Sequence, residues 1–363
     1  MFPYSGVFPE LKDEFRQGFL LGLGGAAAAG SAAATPVAAA PTVLAEFIQN
    51  GDLKTTEQAL QKLFFYERVD VVAGIVGNCV LHDLLPTLER AQAPLIVHNL
   101  GGHFPGRYLS SPYLFYNSLH LWKSEWAMGK WAQARYGGVP AVSLSLYEAG
   151  YHFLESFKNG AGASGAETLT LNVMRREDGP ADPLPLVRFL EEQQPPYSHV
   201  LVSGPEAERF LSYYDASPIR DSVPLTSHPF LGAEHIPFAS TWIASLDTPG
   251  NRAFVSAYLS AHGAEPSVFA MLGYESGLAL SGLNASGPRL SRTQIVAHLS
   301  TASPIGPRGP IRLSSQPVTA PQPVYLCRGT AVLERLDDTS TEDPAFAHLQ
   351  EVATGWANPY LCV

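Results

Sequence analysis

The stretch VDVVAGIVGNCVLHDLLPTLERAQAPLIVHNLGG, residues 69–102, decides the fold. It begins with an apolar run that is typical of a strand buried on both faces of a parallel sheet. Gly77 and Asn78 end this run, and leucines then recur at helical spacing from Leu81 to Leu88. A second apolar run stops at residues 99–102. Two polar, glycine-bearing turns are therefore predicted at the carboxyl ends of consecutive parallel strands, where open α/β sheets bind small ligands.

Strand and helix patterns alternate along the rest of the chain, which predicts an α/β protein. A length of 363 residues suggests about two domains. Further strands are predicted at 42–48, 140–146, 168–174, 198–202, 223–226 and 239–244, with a hairpin of 323–328 and 330–336 near the end.

Composition excludes several classes of protein. The net charge is −10 and no cluster of Lys and Arg occurs, so we expect no nucleic-acid partner. The only stretch that resembles a membrane span, residues 19–40, is rich in Gly and Ala and is broken by Ser31 and Pro36. We interpret it as the end of a helix followed by a loop of small residues.

Motifs for cofactors and catalysis are weak. The run GLGGAA at 22–27 fits part of a dinucleotide-binding fingerprint, but a predicted helix precedes it where the fingerprint requires a strand. His82, His98 and His103 lie near the two turns of the opening stretch, and we interpret them as rim or core residues rather than general bases. No metal-ligand spacing occurs, so we expect neither a metal nor a cofactor.

Three cysteines leave the redox compartment open. Cys79 stands in the first turn, whereas Cys327 and Cys362 lie near the C-terminus. A Cys327–Cys362 disulfide would suit an exported protein, and two buried free thiols are the alternative.

Four separate segments occur in a recognisable order along the chain: PYSGVF (3–8), VDVVAGIVGN (69–78), VSLSLYEAGY (142–151) and LDTPGNRAFVSAYLSAHGAEPSVFAMLGYESGLAL (246–280). This order resembles the type I periplasmic substrate-binding proteins of ABC transporters, particularly the branched-chain amino-acid and amide-binding group. The resemblance implies an α/β fold of two Rossmann-like lobes with parallel central sheets, joined by a three-segment hinge. It places lobe 1 at 1–118 plus 245–324 and lobe 2 at 119–244 plus 325–363, with the ligand held in the cleft between them.

The resemblance also implies a set of ligand contacts: Ser5, Phe8, Asn78, Cys79, Asn99, Leu100, Gly101, Tyr147, Ser203 and Thr226. Tyr274, which also carries a hydroxyl near a predicted strand end, suits a binding role and a core role equally. The sequence departs from amino-acid binders because Asn78-Cys79 replaces their hydroxyl-bearing pair and no acidic residue occurs at 226–228. A buried ammonium without a carboxylate partner is costly, unless Glu148 or Glu206 supplies one. These departures favour a neutral, aromatic or otherwise apolar ligand over a standard amino acid, and an amide stays among the possible ligands.

The resulting functional prediction is a non-enzymatic, monomeric solute receptor that delivers a small molecule to an ABC permease. We expect it in the periplasm or lipid-anchored outside the cytoplasm, with its signal peptide absent from this sequence. One alternative is an α/β enzyme that uses the same cleft, with Cys79 as nucleophile and His82 or His98 as base. Another is a sensor of the same fold that binds a regulator instead of a permease.

Overall fold

The computed structural model confirms the alternation of strands and helices. It describes residues 1–28, 42–105, 109–174, 182–281, 283, 290–313, 322–336, 338–344, 346 and 355–362. The helices are α1 (Leu11–Ala28), α2 (Leu53–Gln61), α3 (Leu81–Ala91), α4 (Leu121–Tyr136), α5 (Phe153–Ala163), α6 (Leu184–Gln193), α7 (Gly204–Ala216), α8 (Pro249–His262), α9 (Val268–Ser281) and α10 (Arg292–Thr301). The strands are β1 (Val72–Ile75), β2 (Leu95–Asn99), β3 (Leu114–Ser118), β4 (Ala141–Ser145), β5 (Thr170–Met174), β6 (Ser198–Leu201), β7 (Leu225–Ser227), β8 (Pro237–Ser240), β9 (Ile305–Gly306), β10 (Gly309–Pro310), β11 (Val324–Arg328) and β12 (Ala331–Leu336).

The first sheet contains β1, β2 and β3 in that order, all parallel. Every residue of β2 is buried because helices cover both faces. Leu95 and Val97 pack with α2 and α3, whereas Ile96 packs with α9 and α10 on the other face. The continuous apolar pattern of the opening stretch therefore has the expected cause.

The second sheet contains seven strands in the order β12-β11-β8-β7-β6-β4-β5. Five neighbouring strands, β5, β4, β6, β7 and β8, are parallel. The predicted hairpin of β11 and β12 pairs with β8 in antiparallel orientation. Two short strands, β9 and β10, form a separate antiparallel hairpin. The carboxyl ends of β4, β6 and β7 lie side by side, because these strands are neighbours in the sheet.

Two glycines of α1 allow it to pack closely against α9, and one of them, Gly22, belongs to the run that resembled a nucleotide-binding motif. A Cβ at Gly22 would lie 2.2 Å from the backbone oxygen of Tyr274, and one at Gly18 would lie 1.9 Å from that of Ala270. Real Cβ atoms do not approach a backbone this closely, so only glycine allows the two helices to pack at this distance. Gly22 of the GLGGAA run thus allows helix packing, whereas a Cβ at Gly24 would meet no atom within 4 Å.

Some sequence predictions need correction. The strand predicted at 42–48 is absent among the described residues of that range, where Phe47 forms only an isolated bridge with Phe2. The strand predicted at 239–244 is β8, which ends at Ser240 because its hydroxyl bonds to the backbone of Trp242 in a tight turn. The loop predicted up to residue 40 lies largely outside the described residues.

Two further observations concern the cysteines and membranes. None of the three cysteines forms a disulfide, and Cys327 and Cys362 are buried, which favours the second of the two alternatives for them. Within the described part of the chain, no helix has the length and apolar character needed to cross a membrane.

Candidate functional site

Polar side chains meet at the carboxyl edge of the second sheet. Tyr147 and Glu148 follow β4, Ser203 follows β6 and His228 follows β7. The Ser203 hydroxyl donates to Oε1 of Glu148 at 2.5 Å, and Nε2 of His228 lies 3.7 Å from the same oxygen. Glu148 and His228 are fully buried. A buried carboxylate needs partners to offset its lost hydration, and this edge supplies them.

Tyr360, from the 355–362 segment, is bound at this cluster. Its hydroxyl donates to Oε1 of Glu148 at 2.9 Å and lies 3.1 Å from Nε2 of His228. Nδ1 of His228 accepts a hydrogen bond from the backbone N–H of Phe230 at 3.2 Å. The proton of a neutral His228 ring is therefore assigned to Nε2, which donates to the phenolic oxygen. The Glu148–His228 pair thus recognises both the donor and the acceptor of one hydroxyl group.

Aromatic side chains enclose the ring of Tyr360. The ring of Tyr147 stacks on it at a centroid distance of 5.9 Å and an interplanar angle of 20°. Phe153, Tyr151 and Phe230 meet it edge-on at 4.7, 5.0 and 5.8 Å. These stacked and edge-on geometries are the preferred ones for aromatic pairs, so the cluster forms a slot for a flat ring.

The backbone of Leu361 forms hydrogen bonds with residues from both sheets. The Ser5 hydroxyl donates to the carbonyl oxygen of Leu361 at 2.5 Å, and the Leu361 N–H donates to the hydroxyl oxygen of Tyr147 at 2.8 Å. Ser5 belongs with the first sheet, because Met1 hydrogen-bonds to Ala73 and Ile75 of β1. A group next to the ring slot is therefore bound by hydroxyls from both sheets.

Electrostatics keep the phenol groups of this cluster neutral. Burial alone would lower the pKa of His228, but the hydrogen-bonding and charge of Glu148 outweigh it and raise that pKa. Burial raises the pKa of Tyr360 well above its ordinary value, and the Glu148 charge adds to this effect. Burial likewise raises the pKa of Tyr147. Both phenols therefore keep their protons at neutral pH and remain hydrogen-bond donors.

The polar turns of the first sheet are bonded to one another. Asn99 donates to the side-chain oxygen of Asn78 at 2.7 Å, and its own side-chain oxygen accepts from the hydroxyl of Ser118 at 2.9 Å and from the N–H of Gly101 at 3.0 Å. The hydroxyl of Tyr116 lies 2.5 Å from the Asn78 side-chain oxygen. These residues form a buried network that fixes the two turns.

A family model supplies the identity of this arrangement. The model described as a periplasmic binding protein matches residues 2–331. The chain belongs to the periplasmic binding protein family. The two α/β sheets described above are consistent with the type I fold of this family.

Solved structures of other periplasmic binding proteins share the fold. A solute-binding protein from R. palustris in complex with benzoate has a TM-score of 0.70 at 24% identity, covering 92% of this chain and 94% of that one. Another from R. palustris, in complex with 4-hydroxybenzoate, has a TM-score of 0.68 at 17% identity, with 95% and 97% covered. The branched-chain amino-acid binding protein of Streptococcus pneumoniae, in complex with isoleucine, has a TM-score of 0.67 at 15% identity, with 93% and 98% covered. No curated protein matches the sequence.

The structure of this binding protein brings some of the predicted ligand contacts together and separates others. Ser5 and Tyr147 bond to Leu361, Ser203 bonds to Glu148, which in turn binds Tyr360, and Phe8 lies edge-on to Phe230 at 6.0 Å. The remaining predicted contacts have other neighbours.

Thr226 is bound to Nδ1 of His199 at 2.9 Å, and the ring of Tyr274 packs on Phe254 of α8 at 4.5 Å. Leu100 and Gly101 are buried in the first-sheet turn together with Asn78 and Asn99. Cys79 is exposed, and its sulfur lies 3.8 Å from the backbone oxygen of Trp356. Direct ligand contact by these residues stays a prediction.

His228 and Tyr360 were missed by the sequence analysis. His228 directly follows β7, just as Ser203 follows β6, so its position after a strand was a usable signal. Tyr360 carries no such signal, because it meets Glu148 across 212 residues of sequence. Glu148 was considered only as a possible partner for an ammonium group.

The enzyme alternative lacks its expected base at His98. Both ring nitrogens of His98 are engaged, Nδ1 at 3.3 Å from the backbone oxygen of Gly74 and Nε2 at 2.5 Å from the hydroxyl of Ser276. Burial is the main cause that lowers the pKa of His98 to about 3. His98 therefore has no nitrogen available for the Cys79 thiol, and His82 is an exposed residue of α3.

Proposed function

We propose that this chain is an extracytoplasmic receptor that captures a small aromatic acid with a ring hydroxyl and delivers it to an ABC permease. The ligand lies between lobe 1, residues 1–118 plus 245–324, and lobe 2, residues 119–244 plus 325–363, and closure of the lobes around it is the working motion. The receptor acts as a monomer. The single observation that carries this proposal is the hydroxyl-binding pair of Glu148 and His228 at the end of an aromatic slot.

The pair suits a phenolic hydroxyl. Such a group donates to Glu148 and accepts from His228, as the hydroxyl of Tyr360 does. Oε2 of Glu148 is buried and has no hydrogen-bond partner among the described residues, so the site has acceptor capacity to spare. A site that hydrogen-bonds a hydroxyl strongly rejects the analogue that lacks it, because its own buried groups are then left unpaired.

The opposite end of the slot suits a carboxylate. The hydroxyls of Ser5 and Tyr147, which bond to the backbone of Leu361, can both donate to an anionic oxygen. Tyr360 and Leu361 together therefore trace the shape of a para-hydroxyphenyl acid, with a phenol at one end and a carbonyl at the other. 4-Hydroxybenzoate, which is bound by one of the two R. palustris proteins, has both end groups, whereas benzoate, which is bound by the other, has only the carboxylate.

An amino-acid ligand fits less well. An ammonium group at Glu148 would lie beside the Nε2–H of His228, and two hydrogen-bond donors cannot bond to each other. The isoleucine bound by the S. pneumoniae protein is therefore a poor guide to the ligand of this chain.

The test is calorimetric titration of the purified protein with 4-hydroxybenzoate, benzoate and leucine. We expect 4-hydroxybenzoate to bind roughly tenfold or more tightly than benzoate, the value of one hydrogen bond to a charged group. Leucine should give no heat of binding. Leucine binding that is as tight as that of 4-hydroxybenzoate would overturn the proposed ligand class.

A further inference from the structure

The 355–362 segment lies where the proposed function requires a solute. Tyr360 fills the ring slot and Leu361 fills the position between Ser5 and Tyr147. The last residues of the segment are deeply buried: Tyr360 is 1% exposed, and Leu361 and Cys362 are 0% exposed. A solute of the proposed class therefore cannot enter while this segment is in place.

The segment contacts both sides of the cleft. On the side of the first sheet, the backbone oxygen of Trp356 lies 3.8 Å from the sulfur of Cys79. On the side of the second sheet, the indole N–H of Trp356 donates to the backbone oxygen of Tyr147 at 2.8 Å. The side-chain amide of Asn358 bonds to the hydroxyl of Tyr151 at 3.3 Å. The segment thus bridges the elements between which a solute would be held.

The conformation of the segment is strained where it enters deepest. Leu361 has a φ of 65°, in the left-handed region that residues other than glycine rarely adopt. A turn stabilises this geometry, because the N–H of Cys362 bonds to Pro359 at 3.0 Å and the side chain of Asn358 bonds to the carbonyl of Cys362 at 2.9 Å. Side-chain contacts rather than regular secondary structure therefore hold the segment in the cleft.

We propose that the 355–362 segment is a built-in competitor that occupies the solute site through the phenol of Tyr360 and leaves when an aromatic solute binds. This inference rests on the proposed function, since the segment and the solute compete for the same Glu148–His228 pair. The apparent affinity for solute is then the intrinsic affinity multiplied by the fraction of molecules with the segment out. Any change that weakens only the segment must tighten solute binding.

The first experiment measures the affinity of the Tyr360→Phe variant for 4-hydroxybenzoate. This change removes the hydroxyl that bonds to Glu148 and keeps the ring that packs against Tyr147 and Phe153. We expect the affinity to rise roughly tenfold, as one hydrogen bond to a charged group is lost from the competitor alone. Tyr197→Phe is the matched control, because Tyr197 is equally buried and donates to Gln133 at 2.8 Å, at the amino end of β6, away from the cleft. Its affinity should equal that of the wild type.

The second experiment needs no variant and follows the alkylation of cysteines in the wild-type chain by peptide mass spectrometry. Cys362 is buried with the segment in place, so saturating 4-hydroxybenzoate should increase its rate of alkylation several-fold. Cys327, which is buried within β11 of the second sheet, is the internal reference and should not change.

The two experiments separate failure of this inference from failure of the proposed function. Solute binding with unchanged Cys362 alkylation and no gain in Tyr360→Phe overturns the competitor and leaves the receptor function intact. Absence of binding in both the wild type and Tyr360→Phe overturns the phenolic ligand class and the competitor together. If Tyr360→Phe does not fold, the alkylation result alone decides.

Discussion

Both sheets end in polar turns, but the side chains of these turns bond to different partners. In the first sheet, Asn78 and Asn99 bond to each other and to neighbours on β3. In the second sheet, Tyr147, Glu148 and His228 bond to the 355–362 segment, which enters from a distant part of the chain.

The difference shows that a strand end marks a candidate position but does not by itself make a ligand contact. The side-chain oxygen of Asn99 already accepts three hydrogen bonds, and its amide donates two, so its bonding capacity is used within the turn. Glu148 keeps one buried oxygen without a partner among the described residues. Contact with a segment from a distant part of the chain therefore distinguishes the second-sheet turn, which is the turn proposed to bind the ligand.

The largest expected effect comes from breaking the first-sheet network with Asn99→Ala. This change leaves several buried partners unsatisfied, each of which costs about 1–3 kcal/mol, so we expect the free energy of unfolding to fall by about 3–5 kcal/mol. Urea denaturation followed by circular dichroism measures it. The control is Asn50→Ala at an exposed turn, which should change stability by less than about 0.5 kcal/mol.

The proposed difference between the first-sheet and second-sheet turns is wrong if Asn99→Ala keeps its stability and loses affinity for 4-hydroxybenzoate. Asn99 would then be a ligand contact, as the resemblance implied, and the first-sheet turn would belong to the site.

The sequence predicted the elements of the fold where apolar periodicity was strong. The runs at 69–76 and 94–97 became β1 and β2, and the late hairpin became β11 and β12. The strand β3, with the sequence LFYNS, was missed because Asn117 and Ser118 interrupt its apolar pattern. These polar residues are buried by contacts from elsewhere, since Arg308 donates to the side chain of Asn117 and to the backbone of Ser118. Tertiary contacts of this kind have no local signal.

The site was predictable only in part for the same reason. Ser5, Tyr147 and Ser203, whose contact with a ligand stays a prediction, were predicted through a family resemblance. Tyr360 was not, because its place beside Glu148 depends on a long-range contact and not on any local pattern. A sequence can indicate which edge of a sheet holds a site. Whether the side chains of a turn bond to one another or to a distant segment depends on the full set of hydrogen bonds.

A smaller effect is expected on the pH dependence of stability, through the buried histidines of the two turns. Burial, and then the charge of His152, lowers the pKa of His103, which lies in the first-sheet turn, to about 3. The unfolded chain binds this proton below about pH 6.5 and the native chain does not, so stability falls as the pH drops from there towards 3. His103→Phe should reduce this slope by up to about 1.4 kcal/mol per pH unit. Urea denaturation from pH 4 to pH 8 measures it.

His228 behaves in the opposite sense because its pKa is raised. Its stabilising contribution is fully present below about pH 6.5 and is lost as the pH rises through the raised value. His228→Asn should therefore flatten the alkaline side of the same curve. Equal slopes for His103→Phe and the wild type below pH 6 would contradict the expected difference between the two turns.

The smallest expected effect concerns ligand discrimination by Glu148→Gln. The ratio of the affinities for 4-hydroxybenzoate and benzoate is independent of the 355–362 segment, because the segment competes equally with both solutes. Replacing the carboxylate by a neutral amide weakens the bond to the phenol, so the ratio should fall roughly tenfold, about 1.4 kcal/mol. Glu125→Gln is the matched control, since Glu125 is also buried and lies 2.7 Å from a buried histidine, His199, of the second sheet. Its ratio should equal that of the wild type even if its stability falls. An unchanged ratio in Glu148→Gln would mean that the ring hydroxyl of the solute binds elsewhere and that Glu148 does not accept a hydrogen bond from it.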